Sequence, residues 1–189
     1  MSKVQLAGNA SGTGIFTIAS PNSNTDRTLT LPDNTGTVAL QGGVGVGKIL
    51  QVVSATVTGD TGTTSTSYGS TGLYATITPS STSSRIICLA SSNCSNVSNS
   101  GNALCLSFYR GTSGNGSGSL IGANPYYWVT YNSTSYQAMQ MMYLDSPAST
   151  AALTYTVMHK SGTAGQNVGW CYGFGSDNRA SLILMEVGA

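Results

Sequence analysis

Leu153-Thr154-Tyr155-Thr156-Val157 decides the fold class. Apolar side chains stand at 153, 155 and 157, with hydroxyls at 154 and 156. A period of two puts the first set on one face of a β-strand and the second on the other, whereas a helix would scatter both around its circumference. Towards the C-terminal end, Ser181-Leu182-Ile183-Leu184-Met185-Glu186-Val187 is apolar at both phases. That is the pattern of a strand covered on two sides.

Working outward, the same signature recurs in Ile49–Val57, Leu73–Thr78, Arg85–Ser91, Ala103–Arg110, Tyr126–Tyr131, Tyr136–Leu144 and Val168–Gly173. These runs are rich in Val, Ile, Thr and Tyr and are bounded by clusters of Gly, Ser, Asn or Pro. No stretch joins a helical period to a cap. The reading is all-β: an antiparallel β-sandwich or jelly-roll-like domain over residues 49–189. Apolar residues on both faces of several strands further predict a buried subunit interface.

Residues 1–41 read differently. Gly14–Ile18, Thr28–Leu31 and Thr37–Leu40 are short strand-like pieces, and Pro32-Asp33-Asn34-Thr35-Gly36 separates the last two as a hairpin turn. So small a β unit is marginal alone in water, so this segment is expected to fold against other chains or copies of itself. Between the two parts, residues 42–48 form a glycine-rich hinge carrying Gly42, Gly43, Gly45 and Gly47.

Composition removes whole classes of function. Seven Lys+Arg and six Asp+Glu make 7% of 189 residues and leave a net charge of +1, against roughly 25% charged residues in ordinary proteins. With no basic cluster there is nothing to neutralise a phosphate backbone, so nucleic acid is not an expected partner. Apolar runs such as Ile86–Ala90 fall far short of the roughly 20 residues of a bilayer span, and no membrane insertion is expected. The first residues lack a signal-peptide core, so export by the usual route is not expected either. Yet 40% of the chain is apolar, which argues for a packed fold.

Sites of chemistry are scarce. Cys88, Cys94, Cys105 and Cys171 form no C-x-x-C pair, and with one histidine no common zinc set can be completed, so no metal or cofactor is expected. The cysteines read as reduced core residues, with Cys94, flanked by Ser and Asn, the exposed one. Gly42-x-x-x-x-Gly47-Lys48 imitates a phosphate-binding loop, but Ile49 stands where Ser or Thr should ligate magnesium, and a strand follows where a helix is needed. The acids after the hinge are Asp60, Asp145, Asp177 and Glu186, and Asp145 and Asp177 look like turn residues, poor material for the facing carboxylates of a glycosidase. His159 falls in phase with Tyr155 and Val157, which predicts a hydrogen-bonded structural histidine or one at a subunit contact. No catalytic residue is assigned.

Aromatic residues offer a better surface. Tyr126, Tyr127, Trp128 and Tyr131 stand beside Asn132 within seven positions, a composition that stacks and hydrogen-bonds at low entropic cost. This stretch and the Gly111–Gly118 loop are the candidate contacts for a receptor. Core and subunit packing is the competing reading, as it is for Met139, Met141 and Met142.

One resemblance extends these readings. Gly14–Pro21, followed by Asn24–Leu40 with its run T-L-T-L-P-D-x-T-G-T-V, resembles a segment frequent in tail fibres of tailed bacteriophages. Thr78–Ile86, Tyr143–Pro147 and Leu184–Val187 look, more loosely, like the C-terminal domains of short phage fibres. The resemblance implies a homotrimer in the virion, assembled in the host cytoplasm. Residues 1–41 would attach to other virion proteins, and the C-terminal β domain would face a host cell-surface glycan or protein. It implies no catalytic residues. A capsid-mounted fibre or adaptor with a purely mechanical role is the alternative, and a polysaccharide depolymerase is a third reading with little carboxylate to support it.

Overall fold

The computed structural model describes residues 48–96, 102–122, 127–130, 135–171 and 177–188, with the backbone alone at 96, 127–130, 135 and 136; ahead of these it describes 11–15, 17, 22–26 and 28. The chain divides into two units, Met1–Gly43 and Val44–Ala189. The hinge positions Gly42, Gly43, Gly45 and Gly47 and most of the expected N-terminal hairpin lie outside the described residues.

The second unit is all-β and antiparallel. Its elements are β1 (Ile49–Thr58), β2 (Thr61–Thr63), β3 (Gly69–Ile77), β4 (Arg85–Asn96), β5 (Ala103–Gly111), β6 (Gly118–Ile121), β7 (Tyr127–Thr130), β8 (Ser135–Asp145), β9 (Leu153–Ser161), β10 (Val168–Trp170) and β11 (Arg179–Val187). They form two sheets. In the first, β8 covers one edge of β4 from Ile86↔Asp145 to Asn96↔Ser135. On the other edge of β4, β11 pairs with Arg85–Ser91 and β10 with Cys94–Asn96. Outside these lie β1 on β11 and β2 on β10.

β10 and β11 therefore lie in line along one edge of β4, with a break after Trp170, and β1 and β2 lie in line outside them, with a break at Gly59 and Asp60. The two breaks are joined: Gly59 N donates to Asn178 O at 3.3 Å and Thr61 N to Cys171 O at 3.2 Å. Cys171 has φ 57°, a left-handed conformation rare outside glycine, at the point where the strand leaves the sheet. In the second sheet the order is β3-β9-β5, and the free edge of β5 is shared by β7 along Ala103–Leu106 and β6 along Phe108–Gly111. The pairs β1 with β11, β3 with β9, β4 with β8, and β5 with β6 and β7 are nested, as in one long hairpin folded over itself.

The core lies between the sheets, and alternation puts it there. Leu73, Ala75 and Ile77 of β3, Tyr155 and Val157 of β9, and Leu104, Leu106 and Phe108 of β5 face Ile86, Cys88 and Ala90 of β4, Met141 of β8, Leu182 and Leu184 of β11, and Trp170 of β10. Each large apolar side chain buried here contributes roughly 1.5–3 kcal/mol. Thr154 and Thr156 point away from this core, as their phase predicts, yet they are buried too. That outer face is covered by the chain itself: Ser107 Oγ donates to Tyr68 Oη at 2.9 Å, Lys160 Nζ stands 4.7 Å over the Tyr68 ring, and Gly114 and Gly116 lie against Tyr74 and Met158.

Two expectations about single residues are corrected. Cys94 is fully buried, because β4 runs on to Asn96 and keeps Ile86, Cys88, Ala90 and Cys94 in one phase; its thiol donates to Met139 Sδ at 3.7 Å. Asp145 is the last residue of β8 and is buried, not an exposed turn residue. All four cysteines are buried and none is in a disulfide.

Candidate functional site

One end of the sandwich carries buried polar side chains between the sheets. Glu186 and Asp145 flank Ile86 in one row across β11, β4 and β8, on the core side. Two carboxylates on one face invite comparison with an acid–base pair, so their partners matter. Glu186 is wholly buried; Gln51 Nε2 donates to its Oε2 at 2.6 Å, while the backbone N and Oγ of Ser80 donate to its Oε1 at 2.7 and 2.6 Å. Burial alone would raise its pKa, but these hydrogen bonds to the ionised form prevail and hold it at about 2.

Asp145 is engaged from the opposite sheet. Arg110 Nη1 reaches its Oδ2 at 2.6 Å, and Tyr155 Oη donates to the same oxygen at 2.7 Å. Arg110 and Tyr155 are cross-strand partners on β5 and β9, so the cluster ties the end of the first sheet to the second. Burial pushes the Tyr155 phenol up, and its bond to Asp145 pushes it further. Asp60 accepts from Asn178 Nδ2 across the two strand breaks. These three acids hold elements together. Among the described residues no group of three His, Cys, Asp or Glu could hold a metal ion.

His159 lies deep in the second sheet, between Leu106 and Gly69 in the register. It is buried, as its phase predicts, and its Nδ1 has no hydrogen-bond partner among the described residues. Burial lowers its pKa to about 4, so it is neutral at physiological pH.

The aromatic stretch divides. Tyr127 and Trp128 are on β7, paired to Leu106 and Cys105 of β5 at an edge of the second sheet. Tyr126, Tyr131 and Asn132 lie outside the described residues. Of the Gly111–Gly118 loop, Thr112, Asn115 and Ser117 are exposed, whereas Gly114 and Gly116 are pressed onto Tyr74 and Met158. Its exposed rim is held in shape by Asn115 Oδ1, which accepts from Ser113 Oγ at 2.6 Å and Ser117 N at 2.9 Å.

The surface that sequence reading did not localise is the outer face of the first sheet. A row Val52–Met185–Ile87–Leu144 crosses β1, β11, β4 and β8, and the next row is Ser54–Ile183–Leu89–Met142. Val52 and Met142 are 59% and 61% exposed. A groove of about 470 Å³ opens there, lined by Leu89, Met142, Ser181 and Ile183 among others. The doubly apolar pattern of residues 181–187 was its sequence signal. No protein-family model matches this chain, and comparison with curated proteins finds no match.

Proposed function

We propose that this chain is a bacteriophage virion fibre protein, structural in role, whose C-terminal sandwich binds a host-surface glycan or protein. The run Thr28–Val38 carries the reading, because its match to tail-fibre segments is the most specific feature of the sequence. Residues 1–41 then attach the fibre to other virion proteins, and the protein is a homotrimer. The sandwich is of the jelly-roll kind; the nested pairing of β1 with β11, β3 with β9, and β4 with β8 supports this. No bond is made or broken. Repetition of a weak site within a fibre and over a particle supplies avidity.

Receptor contact is assigned to the edge strand β7 with Tyr127 and Trp128, together with Tyr126, Tyr131 and Asn132. A double Tyr127→Ala, Trp128→Ala variant is expected to keep its oligomeric state while particles carrying it adsorb at least tenfold more slowly. Normal adsorption by such particles would remove recognition through this patch and leave a mechanical fibre. Locating the chain on particles by cryo-microscopy tests the virion assignment itself, and release of reducing ends from host polysaccharide would overturn the non-enzymatic reading.

A further inference from the structure

We infer that copies of this chain pack against one another through the outer face of the first sheet, β1-β11-β4-β8. The inference rests on the oligomeric part of the fibre reading and deepens it by naming the surface.

The two sheets differ in what covers their outer faces. Over the second sheet Tyr68 lies on Ser107 and the 112–117 loop on Tyr74 and Met158, and the outward-pointing Cys105, Ser107, Thr154 and Thr156 are all buried. Over the first sheet no described residue plays that part. Two consecutive rows leave Val52, Met142 and Leu144 exposed to 59%, 61% and 45% in the single chain, around half-buried Ile87, Leu89, Ile183 and Met185. Below them the row Thr56–Ser181–Ser91–Gln140 is hydroxyl and amide.

Size and charge select the occupant. Four strands at about 4.8 Å and nine residues of β1 at about 3.3 Å span a flat area of about 600 Å² before side-chain relief is counted. That approaches the ~800 Å² each partner brings to a stable standard interface. The face has Arg85 in its first row, Arg179 in its last and no carboxylate in the outward-facing rows between them, Glu186 and Asp145 lying in a row that faces the core. Two separated arginines offer no cluster for an acidic protein or an anionic lipid surface, each of which is recruited by grouped basic residues. A second copy of the same neutral, half-apolar, half-hydroxyl face satisfies both halves, and the groove over Leu89 and Ile183 receives a protruding side chain from the neighbour.

The full-length chain tests this by light scattering or sedimentation at micromolar concentration. The wild type is expected at a multiple of 19.3 kDa. Val52→Glu with Met142→Glu, both at exposed positions, is expected at the single-chain mass with an unchanged far-ultraviolet spectrum, while Thr112→Glu on the opposite side keeps the wild-type mass. An oligomeric wild type whose double variant is equally oligomeric overturns the face and leaves the fibre reading standing. A monomeric wild type overturns both this inference and the trimer. Should the double variant fail to fold, Met142→Cys decides: with a flexible bismaleimide it is expected to give covalently joined chains where Thr112→Cys gives none. Equal yields from the two, or none from Met142→Cys, overturn the inference.

Discussion

His159 and Glu186 make the fold sensitive to acid in two separate ranges. The folded protein keeps His159 neutral down to about pH 4, whereas the unfolded chain takes up that proton near the ordinary value of 6.5. Between those values the unfolded state binds more protons, so stability falls as the pH drops through that range and the loss levels off below it, amounting to about 3 kcal/mol. Glu186 is held at about 2 against an ordinary 4.5, so its contribution is complete above 4.5 and lost as the pH falls towards 2. Urea midpoints measured from pH 7 to pH 3 are expected to fall in the wild type and to lose the upper part of that fall in His159→Gln. Glu186→Gln would set an amide N–H against the Gln51 and Ser80 donors and cost about 1–3 kcal/mol at pH 7, read from the same curves. Asp145→Asn removes the charge facing Arg110 and is expected to cost about 2 kcal/mol, below the full price of breaking a buried pair because Arg110 keeps access to solvent.

At the level of elements, the hairpin of β5 and β6 depends on backbone that only glycine adopts easily. Gly116 has φ +81°, and a Cβ there would lie 2.4 Å from Met158 Cε. Gly116→Ala is expected to lower the melting temperature by several degrees, about 1–2 kcal/mol, without changing the sheet content seen by circular dichroism. Alternating apolar residues made the long strands legible, and Leu153–Val157 and Ser181–Val187 lie where their patterns predict. β2 and β6 were not legible. Thr61-Gly62-Thr63 contributes no apolar side chain and is a strand only because β10 pairs with it, and Gly118-Ser119-Leu120-Ile121 is too short to show a period. The far half of β4 was hidden for a related reason: Ser92-Asn93-Cys94-Ser95 lies beyond the expected strand end at Ser91, yet β8 pairs with it residue for residue. Of the strand expected from Val168, β10 extends to Trp170, and nothing local announces the left-handed Cys171 that follows it. Acidic residues misled in the same way, since a carboxylate after a strand looks like a turn until Arg110 and Tyr155 are brought to Asp145 from 35 and 10 positions away.

For the whole molecule, low charge has a measurable consequence. Thirteen charges, seven basic and six acidic, give little long-range field for salt to screen. Self-association is expected to change less than twofold in affinity between ~0.1 and ~1 M sodium chloride, and to strengthen in sulfate, as apolar contact does. A steep loss with added salt would point to ion pairs instead. The four thiols have a different use. Cys88, Cys94, Cys105 and Cys171 are all fully shielded and unbridged, distributed over β4, β5 and the end of β10, and burial pushes the Cys88 thiol far up. No covalent staple holds the sandwich shut, so a thiol reagent can react only as fast as the fold opens. The protein thus carries an internal clock. Its native labelling rate reports the lifetime of the folded state, and the order in which the four sulfurs react maps which sheet lets go first.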